Sequence, residues 1–151
     1  MKTESGNFLT MRQVLYHFYM SLFEEVQEKY GMTQMEINLL LQLANNPQID
    51  TAAQLVKSGK LSKSQVSTAV EHLATAGYLD RQLDGRRIHL QLNPAALAVV
   101  EEGRRRQQIF AEAVFAGITP EERAILNDLM VRIVENTRIA EEKFCKGKIV
   151  D

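Results

Sequence analysis

The sequence predicts a mainly α-helical protein with one small β-hairpin, and three observations predict it. Apolar residues recur at helical spacing near both ends of the chain. Two shorter helical stretches meet at a glycine turn in the middle. Asp84-Gly85, a strong hairpin signal, then separates two short stretches that suit strands. With 151 residues, 45% of them hydrophobic, the chain is long enough to bury a core without metal or disulfide support.

The first two helices are predicted from apolar spacing and from start and stop signals. A helix from about Leu9 to Tyr30 has one apolar stripe, made of Met11, Leu15, Phe18, Leu22 and Val26. Thr33 and Glu36 then have the spacing of a capping box, which predicts the start of a second helix. Pro47 is expected to end that helix because proline lacks the backbone N–H that a helix requires.

The middle of the chain predicts a helix-turn-helix. A short helix is expected over 51–57, followed by a turn at Ser58-Gly59-Lys60 in which Gly59 is free to adopt a positive φ. Ser62 and Gln65 form a second capping box. The helix that they start is expected to end at Gly77, with its buried face made of Val66, Ala69, Val70 and Leu73.

A hairpin and two long helices complete the chain. The strands are expected at 78–83 and 86–92. Asn93-Pro94 starts a helix to about Phe115, with Asn93 as the N-cap, and Thr119-Pro120-Glu121-Glu122 starts another to about Phe144. This order is the plan of a winged helix-turn-helix head at 33–93. The helices at 1–32 and 94–151 flank it and form a helical dimerisation region.

The outward face of the second helix of the helix-turn-helix has an unusual composition. Its residues are Ser64, Gln65, Ser67, Thr68, Glu71, His72 and Thr75. Six of these seven are short or neutral hydrogen-bonding groups, whereas a helix face that is only solvated more often carries Lys and Glu. Such side chains suit base edges and phosphates in a major groove. Glu71 is the exception, and its carboxylate either accepts from a cytosine amino group or lies along the groove edge.

The charge distribution is compatible with that interpretation. The net charge is −1, but residues 50–93 contain 6 basic and 4 acidic side chains, a local balance of +2. Residues 1–49 and 94–151 have balances of −2 and −1. Affinity for phosphate depends on local Lys and Arg, so a basic centre with acidic flanks permits DNA binding.

Several motifs in order resemble the MarR family of winged-helix transcriptional regulators, over nearly the whole chain. They are Thr33-x-x-Glu36, Leu61-Ser62-x-Ser64-x-Val66-Ser67, Leu73-x-x-x-Gly77-Tyr78-Leu79-x-Arg81, and Asp84-x-Arg86 followed by Leu90-x-Leu92. The resemblance implies a homodimer with interlocked terminal helices, a recognition helix in the major groove and an arginine-tipped wing at the minor groove. It also implies that DNA is released when a small aromatic or anionic ligand enters a crevice between the dimer helices and the winged head. The wing is shorter than is usual in the family.

Candidate site residues follow from the exposed face and from the resemblance. The expected DNA contacts are Ser62, Lys63, Ser64, Gln65, Ser67, Thr68, His72, Arg81, Arg86 and Arg87. The expected ligand contacts are His17 and Tyr16, in the first helix. Simpler interpretations remain open for both sets, because the arginines can be solvated strand residues and His17 can be a packing or surface residue.

Other function classes have little support in the sequence. No phosphate-binding glycine loop and no nucleophile with an assignable base are evident, so we expect no enzyme activity and no cofactor. Three histidines and one cysteine without i,i+4 pairing argue against a metal site, and Cys145 has weak support for a reactive thiol. No run of about 18 apolar residues or signal peptide is present, so a cytoplasmic protein is expected.

The expected partners are a second copy of the chain and double-stranded DNA that carries a pseudo-palindromic operator. The function predicted is a dimeric, sequence-specific transcriptional regulator, a repressor, whose DNA affinity depends on a small ligand. The alternative is a winged-helix protein-interaction module that does not bind DNA.

Overall fold

The computed structural model describes residues 4–59 and 61–145. In order, the elements are α1 (Glu4–Tyr30), α2 (Gln34–Asn45), α3 (Ala52–Gly59), α4 (Lys63–Thr75), β1 (Leu79–Asp84), β2 (Arg87–Leu92), α5 (Pro94–Val114) and α6 (Pro120–Phe144). This order confirms the predicted helical fold with a hairpin wing. The chain divides into two compact units, Met1–Ala111 and Glu112–Asp151. No helix in the described ranges has both the length and the hydropathy that a membrane crossing requires.

Three helices begin with a capping box at the positions where the sequence predicted a helix start. In each, the N-cap side chain accepts from the backbone N–H three residues on, and the glutamate or glutamine at that position accepts in return. The pairs are Thr33 with Glu36, Ser62 with Gln65, and Thr119 with Glu122. These local hydrogen bonds are specified by neighbouring residues, which is why the sequence locates the helix starts well.

The turn between the two helices of the helix-turn-helix differs from the prediction. Gly59 is the last residue of α3 and does not have a positive φ. The backbone N–H of Leu61 donates to the carbonyl of Val56, 3.3 Å away, and closes the end of α3. Helical geometry continues through Gly59, so this residue does not adopt the left-handed conformation that the turn prediction allowed. Lys60, the other residue expected in the turn, lies outside the described residues.

The hairpin pairs β1 and β2 in antiparallel register, from Leu79 opposite Leu92 to Asp84 opposite Arg87. Gly85 and Arg86 form the turn, one residue later than expected. Gly85 has φ +61°, a conformation that glycine adopts without steric cost. At the outer edge of the hairpin, the Leu90 N–H donates to the Asp50 carbonyl over 2.6 Å. The segment before α3 is therefore attached to the base of the wing.

Asn93 does not act as the expected N-cap of α5. Its side-chain amide donates to the Gly77 carbonyl over 3.0 Å and to Oδ1 of Asp80 over 3.2 Å. The Asn93 N–H also donates to the Tyr78 carbonyl, 3.0 Å away. The side chain therefore fastens the end of the hairpin to the turn before β1.

The core of the first unit extends beyond the predicted head. Phe23 and Val26 of α1 and Val99 of α5 are fully buried, together with apolar residues of α2, α3, α4 and the hairpin. A Cβ at Gly103 of α5 would lie 2.9 Å from Cδ2 of Leu41 in α2, so glycine permits a close approach of these two helices. The division at 33–93 stays a prediction, and the core has residues on both sides of its boundaries.

The second unit leaves its helix unburied. No residue of α6 is buried. Its exposed large apolar side chains are Ile125, Leu126, Leu129, Met130, Val131, Ile133, Val134, Ile139 and Phe144. Near its start, the guanidinium of Arg123 lies over the Phe115 ring, 4.9 Å from the centroid, and donates to the Phe115 carbonyl. Monomeric soluble proteins rarely expose a contiguous apolar surface of this kind.

Candidate nucleic-acid interface

The recognition helix α4 presents the predicted faces. Its buried residues are Val66, Ala69, Val70 and Leu73, as predicted. The opposite side is exposed at all seven expected positions, which are Ser64, Gln65, Ser67, Thr68, Glu71, His72 and Thr75. Ser67 and Thr68 have no hydrogen-bond partner among the described residues. Their hydroxyl groups are therefore available as both donors and acceptors.

The capping box at the start of α4 engages two of the predicted DNA contacts. Oγ of Ser62 accepts from the Gln65 N–H over 3.1 Å, and Oε1 of Gln65 accepts from the Ser62 N–H over 3.2 Å. These bonds occupy the Gln65 oxygen and leave its amide nitrogen without a partner among the described residues. Ser62 and Gln65 thus have a structural role besides any contact with DNA, while neighbouring Lys63 is exposed.

His72 is tied to the start of α2. Its Nδ1 lies 3.1 Å from Oε1 of Glu36. Among the described residues, Glu36 is the only charged residue that is buried. Oε2 of Glu36 accepts from the Thr33 N–H over 3.0 Å, so one carboxylate serves a helix cap and the recognition helix. The sequence places His72 correctly on the exposed face but gives no signal for this contact, because the partners are 36 residues apart.

Arg81 is paired within the protein. Its Nη2 donates to Oε2 of Glu71 over 2.5 Å, which joins strand β1 to the recognition helix. The register places Arg81 opposite Leu90, on the face of the hairpin that packs toward the core. Arg81 is therefore not a free cation at the surface, although four of its five N–H donors are outside this hydrogen bond.

The tip of the wing combines cationic and apolar side chains. Arg86 lies in the turn and Arg87 begins β2; both are exposed and neither has an ion-pair partner among the described residues. Leu83 and Ile88 face each other across the strands and are 75% and 49% exposed. The sequence predicted a strand at Ile88, but not that this apolar pair would lie beyond the end of the core.

In the middle of β2, a histidine lies between two carboxylates. Nδ1 of His89 lies 2.8 Å from Oδ2 of Asp50, and Nε2 lies 3.8 Å from Oδ2 of Asp84. Together with the bond from the Leu90 N–H to the Asp50 carbonyl, this contact gives the base of the wing two attachments to the segment before α3. His89 itself is half-buried.

Of the two predicted ligand contacts, the structure places one in a groove. His17 lines a shallow groove of about 600 Å³ on α1 with Gln13, Val14, Phe18 and Ser21. The Phe18 ring also stacks on Phe110 of α5, with centroids 5.7 Å apart. Tyr16 is exposed and is not part of the lining of this groove. The two adjacent side chains therefore do not converge on one groove, and their role stays a prediction.

A polar cluster joins the end of α1 to α5. Lys29 Nζ and Tyr30 Oη both donate to Oε1 of Glu102. The hydrogen bond from Lys29, reinforced by that from Tyr30, lowers the pKa of Glu102. The same bond to Glu102 raises the pKa of Lys29, and partial burial raises the pKa of Tyr30. The cluster contains no group with a pKa shifted toward neutrality, so it is a structural connection between the helices.

The described residues contain no group of three or more His, Cys, Asp or Glu side chains arranged to hold a metal ion. Cys145 is exposed and follows the last residue of α6, where its N–H donates to the Glu141 carbonyl over 2.9 Å. The candidate functional site is therefore the set of basic and hydrogen-bonding groups on α4 and the wing.

A capped recognition helix beside a two-stranded wing, on a shared core, defines a winged helix-turn-helix protein. Residues 30–87, which contain the helix-turn-helix and most of the wing, match the model of the MarR family. This segment of the chain is thus similar to the MarR family, in agreement with the resemblance seen in the sequence motifs. Members of this family are transcriptional regulators and not enzymes. A sequence comparison with curated proteins found no match.

Solved structures share the fold. The MarR protein of Peptoclostridium difficile superposes with a TM-score of 0.79 at 23% identity, and 95% of each chain is covered. The MepR–DNA complex of S. aureus has a TM-score of 0.74 at 16% identity and covers 89% of this chain and 96% of that one. BpsR of Bordetella bronchiseptica, described with regulation of its DNA binding by 6-hydroxynicotinic acid, has a TM-score of 0.65 at 20% identity, with 87% and 96% covered.

Proposed function

We propose that the protein is a homodimeric, sequence-specific DNA-binding regulator that represses transcription from a pseudo-palindromic operator in the cytoplasm. The observation that carries this proposal is the exposed face of α4, where the hydroxyl groups of Ser67 and Thr68 have no hydrogen-bond partner among the described residues. The same head has two exposed arginines at the wing tip, and neither forms an ion pair with a described residue. Short neutral hydrogen-bonding side chains suit base edges, and arginines suit phosphates or the minor groove. The MepR structure with DNA supports the use of this fold for DNA.

The contacts divide into two groups. Ser64, Ser67 and Thr68 face the bases, beside the amide nitrogen of Gln65, to which no described residue is hydrogen-bonded. Lys63, Arg86 and Arg87 supply the charge that phosphates attract. Ser62 and His72 hold the recognition helix in place through the capping box and Glu36.

The test is a fluorescence anisotropy titration of the protein against genomic DNA fragments at two salt concentrations. Binding to DNA requires an affinity that falls as salt increases, because phosphate contacts release counterions.

The exposed pair of Leu83 and Ile88 favours the second candidate, a protein-interaction module that does not bind DNA. Micromolar protein that binds no fragment at low salt would support that module and contradict the proposal.

The homodimer is proposed because two helices expose apolar faces. The first half of α1 exposes Phe8, Leu9, Met11 and Val14, and α6 exposes a longer apolar set. A second copy of the chain is the occupant expected to cover each of these faces. Sedimentation should give a dimer at micromolar concentration. Met130→Glu should shift the protein toward monomer, while the matched control Asn127→Glu, at an exposed polar position of the same helix, should not.

Ligand control is proposed for the groove beside His17, which contains apolar and polar side chains. The effect of 6-hydroxynicotinic acid on BpsR supports an aromatic carboxylate as the ligand class. Thermal shift measurements with aryl carboxylates and phenols should find a compound that stabilises the protein and weakens DNA binding. His17→Ala should abolish the stabilisation, and Glu24→Ala, at an exposed position of α1 that does not line the groove, is the control.

A further inference from the structure

We propose that Glu71 reads a cytosine in the major groove of the operator and that Arg81 is the positioning residue that holds its carboxylate for this contact. This inference rests on the proposed DNA binding and adds a specificity-determining residue to it. Glu71 is an acidic side chain on a face that would approach phosphates. The roles proposed for the neutral residues of α4 and for the wing tip do not explain why it is there.

The geometry leaves one carboxylate oxygen free. Arg81 donates to Oε2 of Glu71, and no described residue donates to Oε1. Glu71 lies seven residues after Ser64 and three after Thr68, on the same exposed line of α4. Its side chain is 63% exposed while that of Arg81 is 39% exposed, so the carboxylate is the more accessible member of the pair.

The ion pair removes the electrostatic objection to an acidic group at this place. A lone carboxylate in the major groove is repelled by the phosphates of both strands. Paired with Arg81, it forms a group of zero net charge. The remaining N–H donors of Arg81 are able to bind a phosphate at the groove edge, which would make a chain from phosphate through Arg81 and Glu71 to a base.

The free oxygen selects among bases because it only accepts hydrogen bonds. In the major groove, cytosine presents the N4 amino donor, while guanine and thymine present acceptors. Adenine has an amino donor beside the N7 acceptor, and N7 repels a second acceptor. A carboxylate held at one oxygen by Arg81 therefore favours cytosine over the other three bases.

The experiment is selection of bound duplexes from random DNA, carried out in parallel with the full-length parent protein and its variants. The parent should enrich a motif with a C·G pair at one fixed position in each half-site. Glu71→Ala should lose the preference at that position and keep the rest of the motif. Glu71→Gln should move the preference toward adenine, because an amide can bond N6 and N7 together.

Arg81 is tested through the same readout. Arg81→Met should weaken the cytosine preference, because the carboxylate is no longer neutralised, and Arg81→Lys should restore part of it. The matched control is Glu24→Gln, an exposed glutamate of α1 with the same change of charge, and its motif should equal that of the parent. A merely structural ion pair would change none of these motifs.

Affinity gives a second readout. On the selected site, Glu71→Ala should bind about tenfold more weakly, the range expected for loss of one base contact. On a site with the C·G pair replaced, the parent and Glu71→Ala should bind equally. A parent motif that Glu71→Ala reproduces at every position would overturn the inference alone, whereas a parent that enriches no motif would overturn the proposed function as well.

Discussion

Nδ1 of His72 lies 3.1 Å from Oε1 of Glu36, and this contact links the recognition helix to the capping box of α2. The Glu36 side chain is nearly buried, and its second oxygen accepts from the Thr33 backbone. One carboxylate therefore fixes the start of α2 and contacts the third turn of α4. The recognition helix is held from its own exposed side as well as through its buried face.

The first prediction concerns this carboxylate. Glu36→Ala should lower the free energy of unfolding by about 1–2 kcal/mol, since it removes a capping interaction and leaves the Thr33 N–H without its partner. Urea denaturation measures the change. Glu122→Ala removes the corresponding group from the fully exposed capping box of α6 and should cost less. Equal losses in the two variants would contradict the special role of Glu36.

The second prediction concerns pH. Hydrogen bonds from Lys29 and Tyr30 lower the pKa of Glu102 relative to its ordinary value of about 4.5. A carboxylate of this kind stabilises the folded state above that ordinary pKa and loses the contribution as the pH falls through its lower folded pKa. The stability difference between the parent and Glu102→Gln should therefore be constant near neutrality and shrink below about pH 4.5.

The control for this measurement is Glu101→Gln, one residue earlier in α5. The Glu101 carboxylate is exposed and has no ion-pair partner among the described residues. Its removal should leave the pH dependence of unfolding close to that of the parent. A parent and a Glu102→Gln variant with parallel stability curves through pH 3 would show that the cluster contributes nothing through its charge.

The third prediction concerns base recognition by Thr68. Thr68→Ala should reduce discrimination between the operator and scrambled DNA by about 1–3 kcal/mol and leave the salt dependence nearly unchanged. The hydroxyl has no partner among the described residues, so the folded state should keep its stability. Gln65→Ala is a less clean test, because it also removes an oxygen from the capping box. Titrations of both variants against the two DNAs measure the difference.

The fourth prediction concerns the wing tip. Arg86→Ala should weaken binding to all DNA sequences and lower the slope of log affinity against log salt by about one, the value for one lost phosphate contact. If the guanidinium enters the minor groove, A·T-rich flanks should lose more affinity than others. Arg138→Ala, on α6, is the charge-matched control. An Arg86→Ala protein with parental affinity at every salt concentration would show that the wing does not reach DNA.

The sequence predicts those parts of the fold that neighbouring residues determine. Helix starts at Thr33, Ser62 and Thr119 depend on partners three residues away, and the hairpin depends on the adjacent pair Asp84-Gly85. Apolar periodicity likewise identified the buried face of α4, and with it the exposed face of the candidate site. Strand ends shifted by one residue because the turn uses Gly85 and Arg86.

Contacts between distant residues were not predictable in the same way. Glu71 and Arg81 meet because β1 folds back beside α4, and His89 meets Asp50 across 39 positions. Nothing in the local sequence marks either pair. The expectations for Gly59 and Asn93 were also wrong. Helix α3 continues through Gly59, and the Asn93 side-chain amide donates to Gly77 and Asp80.

The double attachment of the wing base to Asp50 has a dynamic consequence. The Leu90 N–H and the His89 ring both bind this residue, whereas Gly85 and Arg86 lie beyond any such support. We therefore expect the hairpin to be held more firmly at His89 and Leu90 than at its turn. Amide hydrogen exchange should be slow at Leu90 and fast at the tip. A partner that binds at the tip and displaces the hairpin would therefore also displace Asp50, and with it Thr51 and the first turn of α3.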